Sequence, residues 1–297
     1  MSEILSKWGY YPEKENGGIV IENIAKNINN MATPEIYKEC FSFMDLTSLH
    51  TQDSEASIRK LVSKVDGLRL EYPDYPMPAS ICVYPNFAGT VREALQSAEV
   101  HVTTVGGCFP TSQSFIEVKK KECEMAVKAG ADEVDIVLAL NSFLAGDLEK
   151  AGSEILAIRR LLDRVGKTVG KRITLKVIIE TGLLVSHENI ASASFLAMEN
   201  GADFIKTSTG KVEVNATPAA AFIMCRCIKV FYEKTGKKVG FKAAGGISTA
   251  MDAVAYYAIV SAILGKGWLN KDGFRLGVSR LGNALMSAVE QKKVVYF

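Results

Sequence analysis

Two short segments, Phe204-Ile-Lys-Thr-Ser-Thr-Gly-Lys211 and Gly240-Phe-Lys-Ala-Ala-Gly-Gly246, each place a lysine inside what otherwise reads as a hydrophobic β-strand. Charged side chains are almost never fully buried unless they are paired. Burial disfavours an ammonium group, and a second cation nearby disfavours it further. A lysine made neutral in this way is a nucleophile for carbonyls, so the pair points to Schiff-base chemistry. Whatever fold the chain adopts must accommodate both side chains in one low-dielectric interior.

The alternation of the remaining sequence says which fold does so. From residue 41 onward, short apolar, β-branched runs alternate with longer amphipathic segments. The strand candidates are Phe41–Asp45, Ala79–Tyr84, His101–Gly106, Glu133–Leu138, Ile173–Glu180, Phe204–Ser208, Gly240–Gly245 and Phe274–Gly277. Segments such as Pro218–Lys234 carry a 3.6-residue period, and Thr217-Pro218 and Ser248-Thr249 supply helix starts. Gly130, Gly201 and Gly236 supply helix stops before strands. Eight such units predict an α/β fold, a (β/α)8 TIM barrel over 41–297, with residues 1–40 as an N-terminal helical extension closing the barrel bottom. An open dinucleotide-binding sheet is disfavoured, because no G-x-G-x-x-G follows the first strand.

Composition removes several function classes. The 297 residues are 48% hydrophobic and 23% charged with a net charge of +2, which leaves no electrostatic footprint for nucleic acid. No apolar run is long enough to span a membrane. Met1 is followed by polar and aromatic sequence rather than the apolar core of a leader, so a cytoplasmic location is expected. The six cysteines form no C-x-x-C pair and read as buried cytosolic thiols. Only three histidines occur, none paired at a ligand spacing, so no metal is expected.

Side chains alternate in and out of a barrel with period two, which selects the polar interior. Asp135 points inward if Val134 and Ile136 face the helices, and Lys176, Lys206 and Lys242 fall on inward positions of the next three strands. Three lysines against one inward aspartate make a poor structural ion-pair network, and that imbalance favours a functional site. Glycine-bearing loops follow the last three strands, with Gly210-Lys211, Gly245-Gly246…Ser248 and Gly277…Ser279. Loops at this end of a barrel commonly hold phosphate, so a phosphorylated ligand is expected.

At these residues the chain resembles the deoxyribose-phosphate aldolase family of class I aldolases. The resemblance runs through Met44-Asp-Leu-Thr47, Ile81-Cys-Val-Tyr-Pro85, Ala131-Asp-Glu-Val-Asp135, Leu175-Lys-Val-Ile-Ile-Glu-Thr-Gly182, Phe204–Lys211 with Val214-Asn-Ala-Thr217, and Gly240–Gly246. It implies Lys206 as the Schiff-base lysine, with Asp135 and Lys242 handling protons. It also implies Asp45, Thr47, Cys82, Lys176, Thr207 and Lys211 at substrate-binding positions. Gly210, Lys211, Gly245, Gly246, Ser248, Gly277, Ser279 and Arg280 would then hold phosphate.

The implied reaction is reversible cleavage of 2-deoxy-D-ribose 5-phosphate to acetaldehyde and D-glyceraldehyde 3-phosphate, in deoxyribose phosphate catabolism. The resemblance implies no metal or organic cofactor, and the expected partners are the phosphorylated sugar and, at most, a second copy in a homodimer. The chain departs from the family pattern where Ser248 replaces a common arginine, Arg280 a serine or threonine, Ala243 a proline and His50 an asparagine. Arg280 is therefore expected either to take over a phosphate contact or to pair with a surface carboxylate. Tyr296 is expected either to fold over the mouth and assist proton transfer or to pack on the barrel or a partner subunit. Two other functions stay open on the residues alone: a non-catalytic phosphometabolite-binding barrel, and a class I aldolase or transaldolase with another donor.

Overall fold

The apolar, β-branched runs form eight parallel strands in the computed structural model, which describes residues 2–297. They are β1 (Met44–Thr47), β2 (Ser80–Val83), β3 (His101–Gly106), β4 (Glu133–Val137), β5 (Thr174–Ile178), β6 (Phe204–Lys206), β7 (Gly240–Ala244) and β8 (Phe274–Val278). Each strand pairs with the next and β8 returns to β1, where Asp45 lies opposite Gly277. The closed (β/α)8 barrel leaves no strand edge unpaired.

Before the barrel come α1 (Ser2–Trp8), α2 (Gly17–Met31) and α3 (Pro34–Ser42). The connections hold α4 (Glu55–Glu71), α5 (Ala88–Ala94), α6 (Ile116–Lys128), α7 (Leu140–Leu144), α8 (Leu148–Thr168), α9 (Thr181–Leu184), α10 (His187–Glu199), α11 (Pro218–Thr235) and α12 (Ala250–Leu264). After β8 comes α13 (Leu281–Glu290). Among the described residues no helix is long and apolar enough to cross a membrane. All six cysteines are free thiols, and five are buried.

The first strand begins three residues later than its sequence pattern suggests. Thr33 caps α3 and Pro34 enters its first turn, so the helical period carries through Cys40 and Phe41. Phe41 then packs against the rings of Tyr75 and Phe297 instead of pairing in the sheet. Later strands end early where the backbone turns away. Glu180 adopts a left-handed conformation (φ 54°), and the Thr207 hydroxyl exchanges hydrogen bonds with the backbone of Ala244 across to β7.

The N-terminal helices lie along the outer helices and do not plug the barrel bottom. Trp8 of α1 stacks on Phe195 of α10 at 5.1 Å and donates to Glu199, while α2 rests on α11 and α12 and α3 on α12 and α13. The apolar positions Val20, Ile21 and Ile24 account for this placement, since they complete the hydrophobic core on the outer face. The C-terminal segment adopts the packing alternative. The Tyr296 hydroxyl donates to the Lys64 carbonyl at 2.7 Å, and its ring meets Tyr72 at 5.3 Å. Asn283 accepts from the backbone N–H groups of Tyr296 and Phe297, which pins the chain to α13. Replacing Tyr296 by Phe should therefore cost about 0.5–1.5 kcal/mol of stability, the usual worth of one such hydrogen bond. An unchanged urea midpoint would show that the Lys64 carbonyl finds another partner.

Candidate active site

Strand register brings the inward charges together. Asp135 lies opposite Lys176, Lys206 lies opposite Lys242, and Lys242 lies opposite Arg275. Asp135 is the point of convergence. Its Oδ1 accepts from Lys176 Nζ at 3.0 Å, and its Oδ2 accepts from Lys206 at 2.9 Å and Lys242 at 2.8 Å. Asp45 accepts from Lys242 and Arg275, and from the Ser80 hydroxyl at 2.8 Å. Glu133 accepts from Lys176, from Arg275 Nη2 at 2.8 Å and from the Thr103 hydroxyl at 2.9 Å. Gly277 makes room for this packing, because a Cβ there would sit 2.9 Å from Lys242 Cε.

The interior thus differs from the three-to-one ratio read in the sequence. Asp45, Glu133 and Asp135 face Lys176, Lys206, Lys242 and Arg275, and every one is buried. Glu133 shares the parity of Asp135, and Arg275 interrupts an apolar strand, so both were legible by the rule that found the lysines. Asp45 was placed at the end of a strand that in fact runs on to Thr47.

Lys206 stands apart electrostatically. Burial lowers its proton affinity below the ordinary lysine value; Asp135 opposes this and Lys242 reinforces it. Lys242 and Lys176 are equally buried, but the carboxylates around them outweigh burial and hold both charged. Burial would favour a protonated Asp135, yet its three ammonium neighbours keep the carboxyl well below its usual range. Burial pushes the Cys82 thiol up, so it stays protonated beside the cluster.

Above Lys206 opens a cavity of about 340 Å³ at the C-terminal ends of the strands. Its wall comes from Thr47, Leu49 and His50 after β1, Thr209–Lys211 after β6, Gly245–Ser248 after β7 and Gly277–Arg280 after β8. Lys206 is the member of the charged cluster that lines it. Asp45, Cys82, Asp135, Lys176 and Lys242 lie fully buried behind that wall, and Thr207 is turned toward β7. Lys211 Nζ reaches across the mouth to the Leu49 carbonyl at 2.7 Å.

The two helix starts beside the cavity differ. At α12 the Asp252 carboxylate already accepts from the N–H groups of Ser248 and Thr249. At α13, by contrast, Arg280 occupies the N-cap position and lines the cavity, and no side-chain cap serves the first-turn N–H groups. Arg280 itself is exposed and has no ion-pair or hydrogen-bond partner among the described residues. Gly245 and Gly246 are both in left-handed conformations (φ 83° and 80°), which lets their turn pass close to Asn215. Sequence reasoning missed Glu180, which is buried, kept protonated more readily by that burial, and accepts from both the N–H and hydroxyl of Thr209. Its signal was its parity with Lys176.

A (β/α)8 barrel whose buried lysine meets an anion-ready cavity over a shared carboxylate is an enzyme of the Schiff-base aldolase class. The family model described as DeoC/LacD family aldolase matches residues 41–270, and the chain belongs to that family. It is 37% identical over 269 residues to a putative deoxyribose-phosphate aldolase of Caenorhabditis elegans, covering 88% of this chain and 82% of that one. It is 38% identical over 250 residues to the deoxyribose-phosphate aldolase of Homo sapiens, covering 81% and 76%. The tetrameric deoxyribose phosphate aldolase structure from Aeropyrum pernix superposes with a TM-score of 0.65 at 25% identity, covering 89% of this chain and 97% of that one.

The depressed carboxyls of Asp45, Glu133 and Asp135 also tie stability to pH. Unfolding releases them to ordinary values, so the unfolded state takes up protons first as pH falls. Their stabilisation is present above about pH 4 and is lost as pH falls below it. Urea unfolding should therefore show stability dropping steeply on acidification below about pH 4, with a shallower drop in Asp45→Asn. Parallel pH curves for the two proteins would remove Asp45 from that linkage.

Proposed function

We propose that the protein reversibly cleaves 2-deoxy-D-ribose 5-phosphate to acetaldehyde and D-glyceraldehyde 3-phosphate through a Schiff base on Lys206, in cytoplasmic deoxyribose phosphate catabolism. The observation that carries this is the position of Lys206: a buried lysine with depressed proton affinity, bound to one carboxylate and opening onto the cavity. Its Nζ attacks the C1 aldehyde of the open sugar, and loss of water leaves an iminium. That cation draws electrons from the C2–C3 bond, which breaks as the C3 hydroxyl gives up its proton. The resulting enamine is protonated at C2, and water releases acetaldehyde.

Asp135 and Lys242 share a hydrogen bond directly behind Nζ and handle the protons of dehydration and cleavage. The carboxylate also holds the developing iminium charge. The curated relatives named above support the substrate, and the loops after β6, β7 and β8 support its phosphate end. We take two copies of the chain as the assembling unit, since two-fold pairing is the commonest closed arrangement.

Borohydride reduction in the presence of acetaldehyde should attach a two-carbon adduct to Lys206 alone, with the same yield in chelator, and Lys206→Ala should abolish cleavage. Mass spectrometry locates the adduct; labelling at Lys242 or Lys176 would overturn the assignment. The phosphate end has its own test. The uncapped N-terminus of α13 and the unpartnered Arg280 form the anion-ready side of the cavity, whereas at α12 the Thr249 hydroxyl already accepts from the first-turn N–H of Asp252. Charge-assisted contacts are worth about 1.5–3 kcal/mol, so Arg280→Ala should raise KM for the phosphorylated sugar about tenfold or more. Unphosphorylated deoxyribose should be turned over as before. Equal changes on both substrates would take Arg280 out of the phosphate site.

A further inference from the structure

Within the ion-pair cluster that converges on Asp135, the charges cancel when Lys206 is counted as neutral. Asp45, Glu133 and Asp135 supply three negative charges, and Lys176, Lys242 and Arg275 supply three positive ones, all at most 1% exposed. A charged Lys206 would add one cation beyond that matched set, and excess buried charge is costly. Arg275 makes this count close. It spans the lower layer of the barrel, donating to Asp45, to Glu133 Oε1 at 2.8 Å and to Glu133 Oε2 at 3.2 Å, and its remaining nitrogen donates to the Lys271 carbonyl. Its guanidinium also lies over the Phe204 ring at 5.6 Å, and it does not line the cavity.

We propose that Arg275 and Glu133, which touch neither the cavity nor Lys206, are positioning residues whose opposite charges set the protonation state of Lys206. The inference rests on Lys206 being the nucleophile, as proposed above. Two contact paths carry the influence. Arg275 saturates one oxygen of Asp45, leaving the other to Lys242, which in turn binds Asp135. Glu133 holds Lys176, which binds the far oxygen of Asp135. Both paths end on the carboxylate that Lys206 shares.

Other titratable groups face these residues. Lys206 faces Asp135 from β4, Lys242 from β7 and Cys82 from β2, and Glu180 at the end of the fifth unit feels its charge. Glu133 additionally meets His101 Nδ1 of β3 at 2.7 Å, and that ring is one-third exposed (34%) at the lower end of the barrel. Of the cluster that a charge added or removed at the Arg275–Glu133 pair acts on, Lys206 is the member at the cavity.

The test is the pH dependence of single-turnover borohydride trapping with acetaldehyde. Arg275→Gln leaves the interior one cation short, so Lys206 should keep its proton to higher pH, moving the profile up by about one unit or more. Glu133→Gln leaves one cation in excess and should move the profile down by a similar amount. The double variant removes one charge of each sign, leaving Asp45 and Asp135 matched by Lys176 and Lys242, and its profile should return close to the parent's. The same two shifts should persist with His101→Gln, which removes that group's titration while keeping a donor toward Glu133.

Damage to packing would slow both single variants without moving their profiles in opposite directions. Shifts in one common direction, or none, with Lys206 still labelled, would overturn the proposal. Failure to label Lys206 in the parent protein would instead overturn the nucleophile assignment. If Arg275→Gln does not fold, Glu133→Gln and the charge-keeping Arg275→Lys decide the matter. The first should lower the profile and the second leave it in place, and any other pair of results sinks the idea.

Discussion

The carboxylate of Asp135 is the contact on which the interior of this barrel depends. Three ammonium groups from three successive strands meet on its two oxygens, and all four residues are buried. Removing it would leave Lys176, Lys206 and Lys242 facing one another in a low-dielectric medium, which is far costlier than never having buried them. Parallel closure is what makes the arrangement possible. In register, Asp135 stands beside Lys176, and Lys206 beside Lys242, so charges distant in sequence share one layer.

The same arrangement separates two duties. Lys176 and Lys242 are surrounded by carboxylates and stay charged, which holds the interior together. Lys206 has one carboxylate partner and the cavity above it, and burial dominates its titration. A lysine whose proton affinity falls on folding costs stability, because the unfolded chain holds that proton more tightly. The barrel tolerates this at one position because the other charges around it cancel. The lowered proton affinity of Lys206 and the satisfaction of the charged interior are thus two aspects of one electrostatic arrangement, while the loops after β6, β7 and β8 shape the cavity above it.

How much of this could be read from residues alone varies with the range of the interaction. Lys206, Lys242, Lys176 and Asp135 were legible because a charged residue inside an apolar strand is conspicuous and the two-residue period says which way it points. Glu133 and Arg275 obey the same rule, but their meaning comes from closure of β8 onto β1, which sets Arg275 beside Asp45 and across from Glu133. Phe41 was misread as strand because an aromatic after Cys40 suits either element. The helix prevails because Thr33 and Pro34 start it and Tyr75 and Phe297 receive its side chain. The role of Tyr296 was open in the sequence, since a short aromatic segment carries no period; Tyr72 and the Lys64 carbonyl decide it.

Taken by itself, the sequence determined the eight-unit alternation, the inward lysines and the glycine loops that follow the last three strands. Those are local properties: periodicity, strand propensity and turn chemistry act over a few residues. Only the tertiary structure decided which inward lysine borders the cavity, how three carboxylates and four cations are shared, and which helix start lacks a side-chain cap. Those depend on through-space distances between residues more than a hundred positions apart, such as Lys242 with Asp135 and Arg275 with Glu133. Electrostatic energy follows that distance and the burial around it, neither of which is written in the order of the chain.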